Sequence, residues 1–173
     1  RVRSYSSNNY NVVFDIRNKA ENITLFRNNI EGSSTSYGST DNALIRSQNE
    51  ANHYLQILNN QLKYGDYGFY IYGNAGSSPY INLMGLEIKN NYIINPFYYL
   101  GYAVYCEDAE ISGNTTYSDK YQYGYGIYLE NIRNFNVSHN KITMPRSYLG
   151  LYFYSCGNGS NGRNLVSNNS III

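Results

Sequence analysis

Tyrosines and carboxylates are the side chains of this chain whose spacing could do chemistry. Four glycine-led segments carry tyrosines at matching offsets: Gly68-Phe69-Tyr70-Ile71-Tyr72, Gly101-Tyr102-Ala103-Val104-Tyr105, Gly124-Tyr125-Gly126-Ile127-Tyr128 and Gly150-Leu151-Tyr152-Phe153-Tyr154. Aligned on their first glycines, they place Tyr72, Tyr105, Tyr128 and Tyr154 in one outward column, with Tyr70 and Tyr152 beside it. Phenolic rings in such a column can stack on sugar faces or on one another, with hydroxyls free to bond. The simpler reading is a self-stacking ladder that stiffens one face of a sheet. The chain has 22 tyrosines and no tryptophan, so any aromatic surface is phenolic.

Acidic residues recur in the same frame. Glu107 and Glu130 each stand two places after a column tyrosine, and Asp108 follows Glu107. Glu87 and Glu110 share a second outward position, with Lys89 two residues from Glu87. Stacked carboxylates could chelate a hard cation such as calcium, which takes several oxygen ligands. They could instead supply the acid and base of a glycosidase, or, with Lys89 as base, a lyase-like site. The simpler reading is a set of solvated carboxylates balanced by Lys89, Lys120 and Arg133. His53 and His139 stand apart from any second ligand, and no nucleophile–base motif or His/Cys metal cluster can be drawn. Cys106 and Cys156 fall in strand copies with one copy between them. At the spacing of stacked strands their Cα atoms should lie roughly 10 Å apart, too far to bridge, so both are expected to be free thiols.

The elements that must position these groups follow from a repeated phrase. It reads Ile23-x-Leu25-x-x-Asn28-x-Ile30, then Leu55-x-Ile57-x-x-Asn60-x-Leu62, Leu86-x-Ile88-x-x-Asn91-x-Ile93, Ala109-x-Ile111-x-x-Asn114-x-Thr116 and Phe135-x-Val137-x-x-Asn140-x-Ile142. A weaker copy is Val166-x-x-Asn169-x-Ile171. A return roughly every 30 residues lies inside the range of about 20–50 that marks repeat architectures, in which each unit buries its apolar face by stacking on its neighbours. The apolar period is two rather than 3.6, so the units are strands. Each holds about three short strands and three corners, with Asn42-Ala43-Leu44-Ile45-Arg46 a degenerate first copy of the glycine-led strand, while Val12, Phe14 and Ile16 alternate as part of a coil. Stacking in register puts Asn60, Asn91, Asn114 and Asn140 one above another. Asparagine suits such a corner because it tolerates the left-handed conformation and its amide can bond the units above and below.

This pattern resembles the right-handed parallel β-helix: the pectate-lyase-like asparagine-ladder coils of pectin-degrading enzymes and the copper-maturation-type carbohydrate-binding repeats. The resemblance covers roughly residues 10–173. It implies an all-β, right-handed parallel β-helix of about six coils with an internal asparagine ladder, and it says little about activity. Lyases of this fold use a basic residue facing several calcium-binding acids, and inverting hydrolases use clustered aspartates. Neither set can be carried over residue by residue.

Composition narrows the function classes. Charged residues make up 14% of the 173 residues and the formal net charge is +1. Without clustered Lys and Arg to neutralise phosphates, a nucleic-acid partner is not expected. No apolar run approaches the ~18 residues of a membrane span. One domain over residues 1–173 is expected, cut from a longer solenoid, since residues 1–16 and Ser170-Ile171-Ile172-Ile173 both read as parts of coils. The sequence opens Arg1-Val2-Arg3 without methionine or an apolar h-region, so any secretion signal is expected to have been removed or not included. Composition and resemblance together point to an extracellular or cell-surface location. Two Gly/Ser-rich insertions, Glu31 to Asp41 and Gly73 to Tyr80, should bulge from the stack. Glycosylation sequons fall at Asn22, Asn114, Asn136, Asn158 and Asn168; Asn158, in a Gly/Ser loop, is the one placed to be used, and Asn114 should be inaccessible. The expected function is a non-catalytic module, structural or binding a polysaccharide or surface glycan through the outward tyrosines. The alternatives are a fragment of a polysaccharide lyase or glycoside hydrolase, or a subunit that self-associates end to end through the uncapped Ile171 to Ile173.

Overall fold

The computed structural model describes residues 1–3, 11–36, 38–48, 52–73, 83–120, 125–157 and 162–173. The expected features that lie wholly or mainly outside them are residues 74–80 of the second insertion, Gly124 and the sequon at Asn158. The chain is all-β, and among the described residues its one helical element is a 3-10 turn, Thr40–Asn42, within the first insertion. The side chain of Ser39 caps that turn by accepting from the Asp41 backbone N–H at 3.1 Å.

Three parallel sheets carry the strands, and the chain visits them in a constant order. The entry sheet holds Thr24–Phe26, Gln56–Leu58, Glu87–Lys89, Cys106–Ser112, Arg133–Ser138 and Leu165–Ser167, with Leu83–Met84 pairing beside Cys106 and Glu107. Across the asparagine corner, the exit sheet holds Val2–Arg3, Asn29–Glu31, Gln61–Lys63, Tyr92–Ile94, Thr115–Tyr117, Lys141–Thr143 and Ser170–Ile172. The tyrosine sheet holds Phe14–Ile16, Ala43–Gln48, Tyr67–Tyr72, Gly101–Val104, Tyr125–Glu130 and Leu149–Tyr154.

The pairing is like on like. Leu25, Ile57, Ile88, Ile111, Val137 and Val166 are successive partners along the entry sheet. Ile30, Leu62, Ile93, Thr116, Ile142 and Ile171 are successive partners along the exit sheet. All but the last in each row lie in or at the edge of the buried core, which the three sheets share. β-Branched and leucine side chains fit this arrangement because a parallel sheet buried on one face presents a pleated surface on which they pack against their own kind.

The corner between entry and exit sheets is held by buried amides. Asn60, Asn91, Asn114 and Asn140 are all buried. The Asn114 Oδ1 accepts from the Asn91 backbone N–H at 2.9 Å and from the Asn91 side-chain amide at 3.0 Å. Its Nδ2 donates to the Ile88 carbonyl at 2.8 Å and to the Asn140 Oδ1 at 2.9 Å. The same set repeats from Asn28 through Asn60, Asn91, Asn114 and Asn140 to Asn169. The corner differs from expectation in one respect. The left-handed residue is the one before each ladder asparagine: Arg27, Asn59, Asn90, Gly113, His139 and Asn168. Ladder asparagines stay out of that region, so their amide geometry, rather than tolerance of positive φ, selects them.

Asn114→Ala removes two acceptor interactions and two donor interactions at once inside the core. Each polar group left unsatisfied costs about 1–3 kcal/mol. The variant is expected to lose at least about 3 kcal/mol of unfolding free energy in a urea titration, and Asn28→Ala, at the less buried start of the ladder, distinctly less. Equal losses at the two positions would contradict the ladder as the main corner interaction.

Candidate functional site

The tyrosine sheet carries the densest group of functional side chains, and its register corrects the sequence alignment. Strand pairing matches Tyr70 with Tyr102, Tyr102 with Tyr128 and Tyr128 with Tyr152. Tyr102, absent from the expected set, therefore belongs to the column. Tyr72 and Tyr154 stand two residues on, in a row with Val104 and Glu130. Tyr105 is in no strand row: it sits at a corner with φ 53°, its ring edge-on to Tyr72 at 5.6 Å. Of the leading glycines, Gly68 and Gly150 fall in one row, with Leu100 and Gly126 between them, whereas Gly101 stands one residue beyond that row, so alignment on first glycines breaks the register. Gly101 pairs with Ile127, and a Cβ added there would overlap the Phe69 ring, so this glycine makes room for a bulky core neighbour. A one-residue slip moves every side chain to the opposite face, and burying Phe69, Ile71 and Leu129 fixes the register against that slip.

Two rows of rings result. In the first, Tyr70 and Tyr102 stack at 5.0 Å between centroids and 5° between planes, Tyr102 and Tyr128 at 4.9 Å and 12°, and Tyr128 and Tyr152 at 5.0 Å and 30°. In the second, Tyr67 and Tyr99 stack at 5.2 Å and 6°, and Tyr99 and Tyr125 at 5.4 Å and 27°. The rows meet edge to face, Tyr67 on Tyr70 at 5.3 Å, Tyr99 on Tyr102 at 5.4 Å and Tyr125 on Tyr128 at 5.4 Å. Offset stacks and edge-to-face contacts are the two arrangements that the ring quadrupole favours. The second row follows from a phrase visible in the sequence, Tyr-x-x-Tyr at Tyr67/Tyr70, Tyr99/Tyr102 and Tyr125/Tyr128. Strict alternation would send such a pair to opposite faces. Two successive buried residues lie between them instead (Gly68 and Phe69, Leu100 and Gly101, Gly126 and Ile127), and both tyrosines emerge on the outer side.

Because rings within a row cover one another's faces, Tyr102 and Tyr128 present edges and hydroxyls outward. Burial pushes the Tyr70 phenol up to about 12, with the Tyr72 phenol adding and the Arg46 charge opposing. Burial likewise raises Tyr67, Tyr99, Tyr102 and Tyr128 above the ordinary phenol value, and the Glu130 carboxylate adds to the last two. The Tyr128 hydroxyl donates to Glu130 Oε2 at 3.0 Å.

At the head of the first row the phenols give way to charge. Arg46 is the strand partner of Tyr70 and Asp15 that of Arg46. The Arg46 guanidinium is nearly fully buried, donates to both Asp15 oxygens at 3.2 and 2.7 Å, and also binds Asp41. Burial would raise the Asp15 carboxyl, but the Arg46 and Arg17 guanidiniums hold it below its usual value. The repeat places Arg46 in the degenerate first copy of the glycine-led strand but gives no sign of its pairing with Asp15 and Asp41, which lie outside that phrase.

The acidic positions do not gather into a catalytic set. Glu107 is the strand partner of Arg133, whereas Glu130 lies in the row of Tyr72 and Tyr154, so the expected Glu107–Glu130 stack does not form. Glu87 and Glu110 are adjacent as expected. Lys89 bridges them, with its Nζ 3.2 Å from Glu87 and 2.6 Å from Glu110. Burial works to lower the Lys89 ammonium, yet the two carboxylates leave it raised; Glu110, despite its own desolvation, is lowered by Lys89 and Ser112. Both groups are thus driven to their charged forms, the reverse of what a lysine base or a carboxylic acid donor needs. A groove of about 500 Å³ runs alongside, lined in part by Asp108, Glu110, Phe135, Asn136 and Leu165, and the Asp108 carboxylate is taken by Asn134. Among the described residues no three or more His, Cys, Asp or Glu side chains come together as a metal site, and no helix is long and apolar enough to cross a membrane. Cys106 and Cys156 are free; burial raises both thiols, and Cys106 is enclosed entirely. His139 is an exposed left-handed corner residue. Comparison with protein-family models, with curated proteins and with solved structures returns no match.

The raised phenols make stability sensitive to alkali. A group whose folded pKa exceeds its unfolded value of about 10 stabilises the fold fully below that pH and loses its contribution as pH rises towards the folded value. Unfolding free energy is therefore expected to fall steadily above about pH 10, and more gently in Tyr102→Phe, which lacks one of these phenols. Urea melts across that range check it; a stability that stays flat would contradict the burial of the rows.

Proposed function

We propose that this chain is a right-handed parallel β-helix of about six coils that serves as a non-catalytic extracellular or cell-surface module, and that its tyrosine sheet binds an extended polysaccharide. The constant order of sheets and the unbroken amide ladder support the coil reading. Its hand follows from the rule that parallel crossovers are right-handed in about 98% of cases.

One observation carries the binding reading: phenols repeat along two rows at 4.9–5.4 Å, a length close to the advance of one sugar unit in an extended glycan. The outward hydroxyls form lines of donors and acceptors parallel to the coil axis, on a protein of low charge. Sugar faces do not lie on Tyr102 or Tyr128, whose ring faces are occupied. Hydrogen bonds to hydroxyls and contacts at ring edges supply the interaction, with open ring surface further out at Tyr154, which is 52% exposed. The engaged Lys89 supports a role without turnover.

The double variant Tyr102→Phe/Tyr128→Phe keeps the rings and removes the hydroxyls. At about 0.5–1.5 kcal/mol per hydrogen bond, it should weaken retention in affinity electrophoresis on a polysaccharide gel by about tenfold, with little change in melting temperature. Pectin, alginate and a neutral β-glucan are the probes. Unchanged retention in the variant, or no retention of the parent chain on any of the three, would overturn the binding reading. No growth of near-ultraviolet absorbance from unsaturated products should accompany binding to pectin or alginate; such growth would overturn the non-catalytic reading.

A further inference from the structure

The same rings have a redox chemistry that does not depend on any glycan. The chain has no tryptophan, Cys106 is enclosed, and the half-buried Cys156 thiol is bonded to the Leu129 and Tyr154 carbonyls, so the stacked phenols are the largest connected set of oxidisable side chains among the described residues. Losing an electron makes a phenol a very strong acid, so oxidation near neutral pH proceeds where the proton has somewhere to go. Burial keeps the row phenols protonated, and Tyr128 has an acceptor in place, the Glu130 carboxylate at 3.0 Å. Its ring lies 4.9 Å from that of Tyr102, among the described residues the shortest and one of the flattest stacks in the sheet. The pair belongs to adjacent strands in register, with the two residues directly opposite one another and their rings close to parallel. Coupling therefore needs ring rotation about the soft Cβ–Cγ torsion and no slip of the backbone.

We propose that Tyr102 and Tyr128 form an oxidative cross-linking site, at which a peroxide-fed one-electron oxidant joins the two rings through an ortho–ortho carbon–carbon bond. The oxidant, of the class of a haem peroxidase, takes one electron from Tyr128 while the hydroxyl proton passes to Glu130. A second one-electron step oxidises Tyr102, whose proton leaves to water. The two phenoxyl radicals pair to form the bond. Each coupled carbon then releases its hydrogen as a proton while its oxygen takes one up, which restores both phenols, and Glu130 returns its proton to water. In sum two electrons and two protons leave the protein, and one hydrogen peroxide becomes two waters. Stacking of Tyr70 on Tyr102 and of Tyr152 on Tyr128, each at 5.0 Å, lets a hole that enters elsewhere in the row reach the pair. The product is a covalent staple between adjacent strands of the tyrosine sheet.

The test treats dilute intact protein with a haem peroxidase and limiting hydrogen peroxide, then reads dityrosine by its blue fluorescence and maps linked peptides by mass spectrometry. Monomeric protein should yield one dominant linked pair containing Tyr102 and Tyr128, lighter than the sum of its peptides by two hydrogen atoms. Tyr128→Phe should abolish that pair. Glu130→Gln should lower its yield by about tenfold or more, the scale of a lost positioned base, while oxidation of Tyr148, 67% exposed, continues unchanged. The proposal is overturned if dityrosine joins only exposed tyrosines such as Tyr54 and Tyr148, if it forms only between molecules, or if Glu130→Gln leaves the Tyr102–Tyr128 yield at the parent level. Should Glu130→Gln fail to fold, the mapping of the parent chain decides alone.

Discussion

A primary amide enclosed in an apolar core has two donors and an acceptor oxygen with two lone pairs to satisfy, and in this molecule the same amide one circuit away meets half of that demand and backbone groups meet the other half. Asn91, for example, gives its two side-chain protons to the Ile57 carbonyl and the Asn114 Oδ1, while its own oxygen takes the backbone and side-chain protons of Asn60. Such a network is strong only when complete, because a half-satisfied buried amide is worse than an apolar side chain. Slipping any circuit by one residue would orphan groups in two circuits together. The ladder thereby sets the register of the strands on either side of it.

Everything outside the corner follows from that register. Core residues meet their counterparts, and the outward residues of the tyrosine sheet are brought within stacking distance whether or not the intervening chain is of constant length. Successive ladder asparagines are separated by as few as 23 and as many as 32 residues. The difference falls in the corners and insertions between the strands. Gly68, Gly101, Gly126 and Gly150 have a different task in the same scheme. Each stands where a Cβ would meet a neighbouring backbone oxygen or side chain, so they permit close approach; Gly68, Gly126 and Gly150 share one row and Gly101 lies one residue beyond it. At the head of the phenol row the burial of Arg46 is tolerated because Asp15 and Asp41 engage its guanidinium, and a charge left there alone would be costly.

Strand period, the three-strand unit and the stacked asparagines were legible in the sequence because they depend on local pattern and on one strongly constrained residue. The free cysteines and the Glu87–Glu110 neighbours were legible for the same reason: they lie close to the asparagine that sets the frame, or needed only the coil count. The tyrosine rows are not legible from the leading glycines because they lie farther from the ladder, across a corner of variable length, and Gly101 takes its place to make room for Phe69. The recurring Tyr-x-x-Tyr was the better guide, although a break in alternation hides it from any reading that assumes period two. The ion cluster of Arg46 left no trace, since its partners come from two separate segments and only the fold brings them together. The Glu107–Glu130 stack failed with the frame on which it depended.

The phenol rows thus stand on the register, and the register can be read directly. In protein labelled selectively in its tyrosine rings, nuclear Overhauser effects between ring protons should connect Tyr70 with Tyr102, Tyr102 with Tyr128 and Tyr128 with Tyr152, whose centroids lie 4.9–5.0 Å apart. Tyr105 should show contact with Tyr72 and none with Tyr128. Effects linking Tyr105 to Tyr128, with none from Tyr102 to Tyr70, would mean that the circuits align on their glycines and would contradict the account.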